Sequence, residues 1–513
     1  MKMRSVMNHK FSEVPNVSIP RSTFNRSHGF KCTFDAGYLV PIFLDEALPG
    51  DTFKLNLNGF ARLATPVYPI MDNMVMETFF FDVPIRLIWD NFKKMMGEQV
   101  DPGDSIDYSI PQTTANNVAN ESLYDYFGIP TKVAANLDIN NLAGRAYNLV
   151  WNEWFRDQNL QDSVVVDRDN GPDTITDYTL LRRGKRHDYF TSALPWLQKG
   201  DAVNIPLGST APVATDAAAA ATVSVYSTTL SDNHALYIPT MNLALRNNVQ
   251  PGTGGLYADL STATASTVNE LRQAFQVQRL LEKDARSGTR YIEILKSHFG
   301  VTSPDSRLQR PEYLGGGRTP VIINPIARTD SSPGELGAMG VASFSNHGFV
   351  KSFVEHSIVI GIVNVRADLT YQEGLERMWS RQTRYDFYWP TLAHLGEQAI
   401  LNQEIYVDAT TIGAGTHEDV FGYQERYAEY RYKPSRIAGK FRSNDAATLD
   451  AWHLGIEFGG QPTLDDTFIQ DNPPVDRVIA TPTEPHFIYD SYVDLRCTRP
   501  MPVYAVPGLI DHF

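Results

Sequence analysis

The sequence predicts a mainly β protein, a sandwich or barrel of short strands whose long connections carry helices. Three observations carry that prediction. Apolar and polar residues alternate with a period of two in several segments near both ends of the chain. Proline and glycine divide those segments as turns. The length of 513 residues suggests roughly three domains or one large all-β unit with long insertions, and no internal repeat or clear linker divides it. A 42% hydrophobic content supplies a core, and 11% aromatics favour strands and interfaces.

The elements follow in order. In "DTFKLNLNG" (51–59), Phe53, Leu55 and Leu57 alternate with Lys54, Asn56 and Asn58, the pattern of a half-buried strand. "VMETFFFDVP" (75–84), "SIVIGIVNV" (357–365), "AWHLGIEF" (451–458) and "HFIYDSYVDL" (486–495) are the other strand candidates. Residues 141–157 predict a helix that buries Leu142, Ala146, Leu149, Val150 and Trp154. A second helix starts at a Thr267–Glu270 capping box, follows a Leu271, Ala274, Phe275, Gln278, Leu281 face, pairs Glu282 with Arg286 and ends at Gly288. Thr370 and Glu373 predict a third, "TYQEGLERMWSR". Residues 205–265 are small, weakly charged and have little to bury, which suits a projecting surface insertion.

Enzyme signatures are missing. "EYLGGGRTP" (312–320) lacks the Gly-Lys-Ser/Thr ending of a phosphate loop and reads as a tight turn. No HExxH or G-x-S-x-G is present, and the acids around Asp465 and Asp466 lack calcium-loop spacing. His417, Glu418 and Asp419 read as a solvated turn. Cys32 and Cys497 form no CxxC, so a zinc knuckle is excluded. Two reduced, buried thiols are the expectation, with one long-range bridge left open. No catalytic residue, cofactor or metal is expected. The start "MKMRSVMNHKFSEVP" has no apolar h-region, and the longest apolar run is too short to span a bilayer. A soluble protein made in the cytoplasm is expected.

Charge is unevenly divided within a formal net of −14. Residues 444–494 hold ten acids and one base, Arg477. Against this, "YQERYAEYRYKPSRIAGKFR" (423–442) holds four tyrosines and six Lys/Arg to two glutamates. Aromatics interleaved with bases suit stacked bases and phosphates, with Arg426, Arg431, Lys433 and Arg436 as candidate contacts. The competing reading makes the tyrosines an anchor on the body, in a helical stripe of Tyr423, Tyr427 and Tyr430, with the arginines paired to the 444–494 acids. Arg182, Arg183, Lys185 and Arg186 lie within five positions and repel one another unless phosphate or acid relieves them, so they too are nucleic-acid candidates. The ending "RPMPVYAVPGLIDHF" is too apolar for a solvated tail, and its prolines favour an extended path. Pro500, Pro502, Tyr504, Pro507, Leu509 and Phe513 are therefore candidate subunit contacts.

The residues also resemble a known family. "FSEVPNVSIPRSTFNRSHGFKCTFDAGYLVPIFLDEALPGDTF" (11–53) is similar to the N-terminal region of gokushovirus major capsid proteins, from small single-stranded-DNA phages of the Microviridae. The resemblance continues through "RLATPVYPIMDN", "RGKRHDYFTSALPWLQKGD" and "VRADLTYQEGLERMWSRQTRYDFYWPTLAHLGEQA" to the closing "RPMPVYAVPGLIDHF". Leu197 departs from an expected proline, and roughly 205–265 carries none of the resemblance, as expected of a variable surface insertion. The resemblance implies one domain over 1–513, an eight-stranded jelly-roll β-sandwich with long inserted loops containing helices. It further implies assembly with itself into a T=1 icosahedral shell around circular single-stranded DNA, in virions assembled in the host cytoplasm. Residues 205–265 become a threefold protrusion that contacts a bacterial cell-surface receptor. An internal scaffolding protein, a DNA-pilot protein and a small basic DNA-binding protein are the other implied partners. Two alternatives stay open on the residues: a jelly-roll carbohydrate- or receptor-binding protein, and a glycosidase whose two carboxylates meet only in space.

Overall fold

A computed structural model describes residues 20–201, 203, 213–215, 224–227, 232–235, 256–258, 268–288, 290–327 and 336–504. Nine strands build the main sheet: β1 (Ser22–Asn25), β2 (His28–Phe34), β3 (Val40–Ala47), β4 (Thr52–Leu63), β5 (Met74–Pro84), β6 (Glu312–Ala327), β7 (Leu336–Ser352), β8 (Ser357–Ala367) and β9 (Phe487–Arg499). All pairings among them are antiparallel, in the order β1-β9-β4-β7-β6-β5-β8-β3. β2 pairs with β9 beyond the end of β1, so the two short strands share one row and the sheet has eight rows. β6 turns the corner: Glu312–Val321 pair with β5, and Ile322–Ala327 pair with β7. The sheet thereby folds on itself into the two layers of a jelly roll.

The period-two pattern explains the layers. Phe53, Leu55 and Leu57 of β4 meet Phe80 of β5, Val359 and Val363 of β8, and Phe487, Tyr489 and Val493 of β9 in one core between the sheets. The intervening Lys54 of β4 is exposed. β8 is different because both its faces are covered. Ile358, Ile360 and Ile362 point away from the sandwich into a second core with Trp89, Leu142, Ala146, Tyr147 and Trp151. Those last four belong to the predicted helix, α1 (Leu142–Val150), which runs on as a wider turn over Trp151–Phe155. A strand buried on both sides needs an unbroken apolar run, which "SIVIGIVNV" supplies. Inside this second core Arg145 is fully buried, donating Nε to Asp173 at 2.7 Å and Nη1 to the carbonyls of Ile88 and Asp169. A third core, with Tyr189, Phe190, Tyr371, Ile400, Phe421 and Phe468, consolidates the long loops.

Several expectations fail for identifiable reasons. The glycine run 315–317 lies inside β6 rather than in a tight turn. A Cβ on Gly316 would lie 1.9 Å from the Thr78 carbonyl oxygen, and one on Gly317 would lie 2.2 Å from the His347 ring. The glycines thus permit close strand and side-chain approach. The helix expected at 370–381 is absent. Thr370–Tyr371 pair in parallel with Ser435–Arg436, and Arg377–Trp379 make one 3-10 turn. Glu373 accepts the Phe458 N–H at 2.8 Å instead of capping a helix, so tertiary contacts override the local signal. The strand expected at 451–458 is a 3-10 turn, Asp450–Trp452, followed by irregular chain. Its amides bond to side chains: Leu454 to Asp72, Gly455 to His453 and Phe458 to Glu373. Leu454 is nonetheless buried.

Leu197–Ser287 form a compact unit of their own. Its described parts are two short antiparallel pairs, Val213–Thr215 with Leu256–Ala258 and Ser224–Ser227 with Asp232–Ala235, and helix α2 (Val268–Ser287). Leu271, Ala274, Gln278 and Leu281 are partly covered as expected, whereas Phe275 is exposed. Glu282 accepts from Gln278 at 2.9 Å. Gly288 follows the helix at φ +95°, the left-handed stop expected there. Thr267 and most of the 205–265 tract lie outside the described residues. Among the described residues no helix is long and apolar enough to cross a membrane.

Candidate nucleic-acid interface

The basic ribbon is neither a continuous strand nor a helical stripe. Val420–Glu425 form a strand paired with Glu397–Leu401. Tyr427 then takes φ +63°, which ends the strand, and Ala428–Tyr430 make a 3-10 turn. Tyr427 is 2% exposed and packs edge-on against Tyr388 (5.2 Å) and Tyr430 (6.2 Å), so it is the anchor. Tyr430 and Tyr432 are each 50% exposed, and Tyr430 carries the Arg381 guanidinium over its ring. The ribbon therefore divides: one tyrosine holds the segment, and two face outward.

The bases divide likewise. The Arg426 guanidinium lies 4.7 Å from the Tyr427 ring centre and donates to the Tyr385 carbonyl at 3.3 Å. Arg431 pairs with Glu425, and Arg436 pairs with Glu376 at 2.6 Å, with Lys433 3.9 Å from the same carboxylate. The acids beside them are thus Glu425 and Glu376, and not the 444–494 tract that the sequence suggested. Such exposed pairs are worth only about 0–1 kcal/mol each and open readily to another anion.

The ribbon has neighbours that sequence reasoning missed. Trp379, Tyr385, Phe387, Tyr388 and Trp389 are all exposed. Arg381 lies 4.5 Å from the Tyr430 ring, and Arg384 lies over Tyr385 and Trp389. A cavity of about 370 Å³ opens between Trp379, Tyr430, Tyr432, Lys433 and Arg436. The density of aromatics and arginines in 379–389 was the available signal, of which only Trp379 and Arg381 fall in the helix expected at 370–381. Together the two segments form one surface of ring faces and cations, the combination that holds single-stranded nucleic acid.

The 182–186 cluster is partnered within the chain. Arg182 stacks 3.9 Å over Tyr38 and donates to the Asp471 carbonyl. Arg183 donates to Glu77 at 2.5 Å, and Arg366 donates to the same oxygen at 2.8 Å. Burial, with Arg366 adding repulsion, pushes the Arg183 guanidinium down to about 10. Burial alone would raise Glu77, but Arg183 and Arg366 hold it below the usual carboxylate range. Lys185 donates to the Phe468 carbonyl at 2.6 Å, and Arg186 pairs with Asp368. Protein acids and carbonyls thus relieve much of the repulsion among the four.

At the chain end, Pro500 lies beside Gly50, and Val503 and Tyr504 are 61% and 82% exposed. Pro507, Leu509 and Phe513 lie outside the described residues. Both cysteines are free thiols, with Cys497 buried and Cys32 half-buried. His417 is half-buried in a 3-10 turn beside the exposed Glu418 and Asp419, and among the described residues no group of three His, Cys, Asp or Glu side chains is placed to hold a metal.

Comparison with known proteins agrees with this architecture. Residues 12–509 match the family described as capsid protein (F protein). The chain is 50% identical to capsid protein VP1 of Bdellovibrio phage phiMH2K, with 100% of both chains covered. It is 44% identical to capsid protein VP1 of Chlamydia phage 1, covering 99% of each, and 34% identical to that of Spiroplasma virus 4, covering 98% of this chain and 97% of the other. The chain therefore belongs to the capsid protein (F protein) family, and its resemblance to the gokushovirus capsid proteins of the Microviridae holds along the whole length.

Proposed function

We propose that this capsid protein assembles with itself into a T=1 icosahedral shell that encloses circular single-stranded DNA. The observation that carries the reading is the match to capsid subunits over residues 12–509, on a jelly roll that leaves large aromatic surfaces uncovered in a single copy. The surface of Tyr430, Tyr432, Arg431, Lys433 and Arg436 faces the genome, where base stacking contributes about 1–3 kcal/mol per base and many copies sum weak contacts. The arm that begins at Pro500 reaches a neighbouring subunit, since its described end is apolar and uncovered. Scaffolding, pilot and small basic proteins assist assembly in the host cytoplasm, and the finished product is the virion.

Residues 205–265 serve as the outward insertion that meets the host receptor. Support comes from their composition and from the separate compactness of Leu197–Ser287. Replacing part of the tract with a Gly/Ser linker should preserve particles and reduce host attachment. The direct test of enclosure is nuclease digestion of purified assemblies. Circular single-stranded DNA should survive digestion, and its complete degradation would overturn the reading.

A further inference from the structure

The cavity between Trp379 and Tyr430 encloses about 370 Å³, at the small end of the range for binding pockets. Phe190, Tyr371, Leu375, Met378 and Ile437 form its apolar walls, and Leu375 and Met378 are 37% and 44% exposed. Glu376, Glu404 and Glu429 also line it, and each has a cation of the same chain: Arg436, Arg377 and Arg381 respectively. The interior is therefore apolar and nearly neutral, and its carboxylates disfavour a phosphate. One lining charge is left over. Arg442 is exposed and donates to the Gln372 carbonyl at 2.6 Å, with no acid paired to it among the described residues.

An aromatic-lined groove of this kind receives proline-rich segments, which lose little entropy because their extended path is already set. This chain carries one, "PMPVYAVPGLID" (500–511). At about three residues per turn, Val503, Val506 and Leu509 make one ridge, and Met501, Tyr504, Pro507 and Ile510 make a second. The third ridge is Pro502, Ala505, Gly508 and Asp511, which ends in an acid. Val503 and Tyr504 are 61% and 82% exposed, so their own subunit does not cover the start of the segment. The cavity of the same copy is out of reach. Pro500 lies beside Gly50, whose N–H donates to the Phe353 carbonyl at 2.8 Å. That is the end where β8 begins, at Ser357, whereas Tyr371 of the cavity follows the other end, Ala367. The 11 residues of β8 span about 35 Å. Leu509, nine residues past Pro500, reaches about 32 Å with the chain fully extended.

We propose that the segment starting at Pro500 docks in this cavity on a neighbouring copy, with Val506 and Leu509 against Leu375 and Met378 and with Asp511 against Arg442. The inference rests on the capsid reading, which supplies the neighbour, and it names the surface that receives the arm. Arg431, Lys433 and Arg436 stay free for the genome, because Arg442 matches the acid of the arm.

The test is a disulfide between copies. The full chain carrying Leu509→Cys and Leu375→Cys is assembled, oxidised and run on a non-reducing gel. We expect linked dimers and longer chains that disappear on reduction, and that neither single variant gives above the background of Cys32 and Cys497. Leu509→Asp should lower particle yield at least tenfold with an unchanged circular dichroism spectrum. Asp511→Arg and Arg442→Asp should each lower the yield severalfold, and the two together should restore it. If the cysteine pair itself prevents assembly, this charge exchange decides the matter. A link confined to single chains overturns the docking and makes the segment a strap on its own subunit. Absence of any link, or parental particle yield in Leu509→Asp and in both charge variants, overturns it as well. Oligothymidine that abolishes the link assigns the cavity to nucleic acid and overturns it too. Linked copies in a preparation without shells would keep the docking and refute the capsid reading, whereas shells without links would refute the docking alone.

Discussion

Neutralising the exposed part of the ribbon should change the salt dependence of DNA binding by a calculable amount. Arg431, Lys433 and Arg436 have side-chain exposures of 47%, 68% and 61%, so all three can reach a phosphate by releasing Glu425 or Glu376. Each phosphate neutralised on a single strand contributes about 0.7 to the slope of log K against log salt, so three give about 2. Between 50 and 200 mM salt, that slope corresponds to roughly a 20-fold loss of affinity in the parent that the variant does not suffer. The perturbation is the triple replacement of these residues by serine. The assay is fluorescence anisotropy of a labelled oligothymidine with dissociated subunits across that salt range. Arg431→Lys with Arg436→Lys keeps the charge and should keep the slope. Equal slopes for parent and triple serine variant would refute the reasoning, because the glutamates would then hold these cations fully.

Three further outcomes are expected. Arg145→Met should destabilise the subunit by about 3–5 kcal/mol in urea, since it leaves Asp173 buried without its cation; a loss under about 1 kcal/mol would mean that water or Asn141 suffices. Asp82 is pushed up to about 6, chiefly by burial and further by Glu312 and Glu355, so its folded state holds the proton more tightly than the unfolded chain. Its stabilisation is full below about pH 4 and lost as pH rises through about 6, at most about 3 kcal/mol, and Asp82→Asn should abolish that slope in denaturation measured from pH 4 to 8. Deleting 501–513 should leave a folded monomer, with near-parental circular dichroism, that forms no particles; normal particles would remove the arm from assembly, and an unfolded monomer would make it a strap on its own subunit.

What could be read from the sequence depended on whether a local pattern had a local cause. β4 was legible because one face meets the core, so Phe53, Leu55 and Leu57 alternate with polar neighbours. β8 was legible as an apolar run, but only the fold shows that its two faces enter two cores. The glycines of β6 gave a false turn, because their cause is the approach of Thr78 and His347 from distant strands. Thr370 and Glu373 imitate a capping box, yet Glu373 is claimed by Phe458. At the site, four bases in five positions suggested unrelieved repulsion, while their acids Glu77 and Asp368 lie far away in the chain. The ribbon was visible as composition, but its division into a buried Tyr427 and half-exposed Tyr430 and Tyr432 depends on the left-handed residue that ends the strand. The aromatic surface at 379–389 was missed because its relation to the ribbon is made in space, where Tyr388 packs on Tyr427 and Arg381 on Tyr430.

The central claim, that the chain closes into a shell, is tested most directly by imaging. The full chain, expressed alone and with a scaffolding partner, would be purified and examined by negative-stain electron microscopy, with light scattering on the same sample. The account predicts closed spherical particles of one diameter and a narrow size distribution. A field of monomers and small oligomers in both preparations would contradict it.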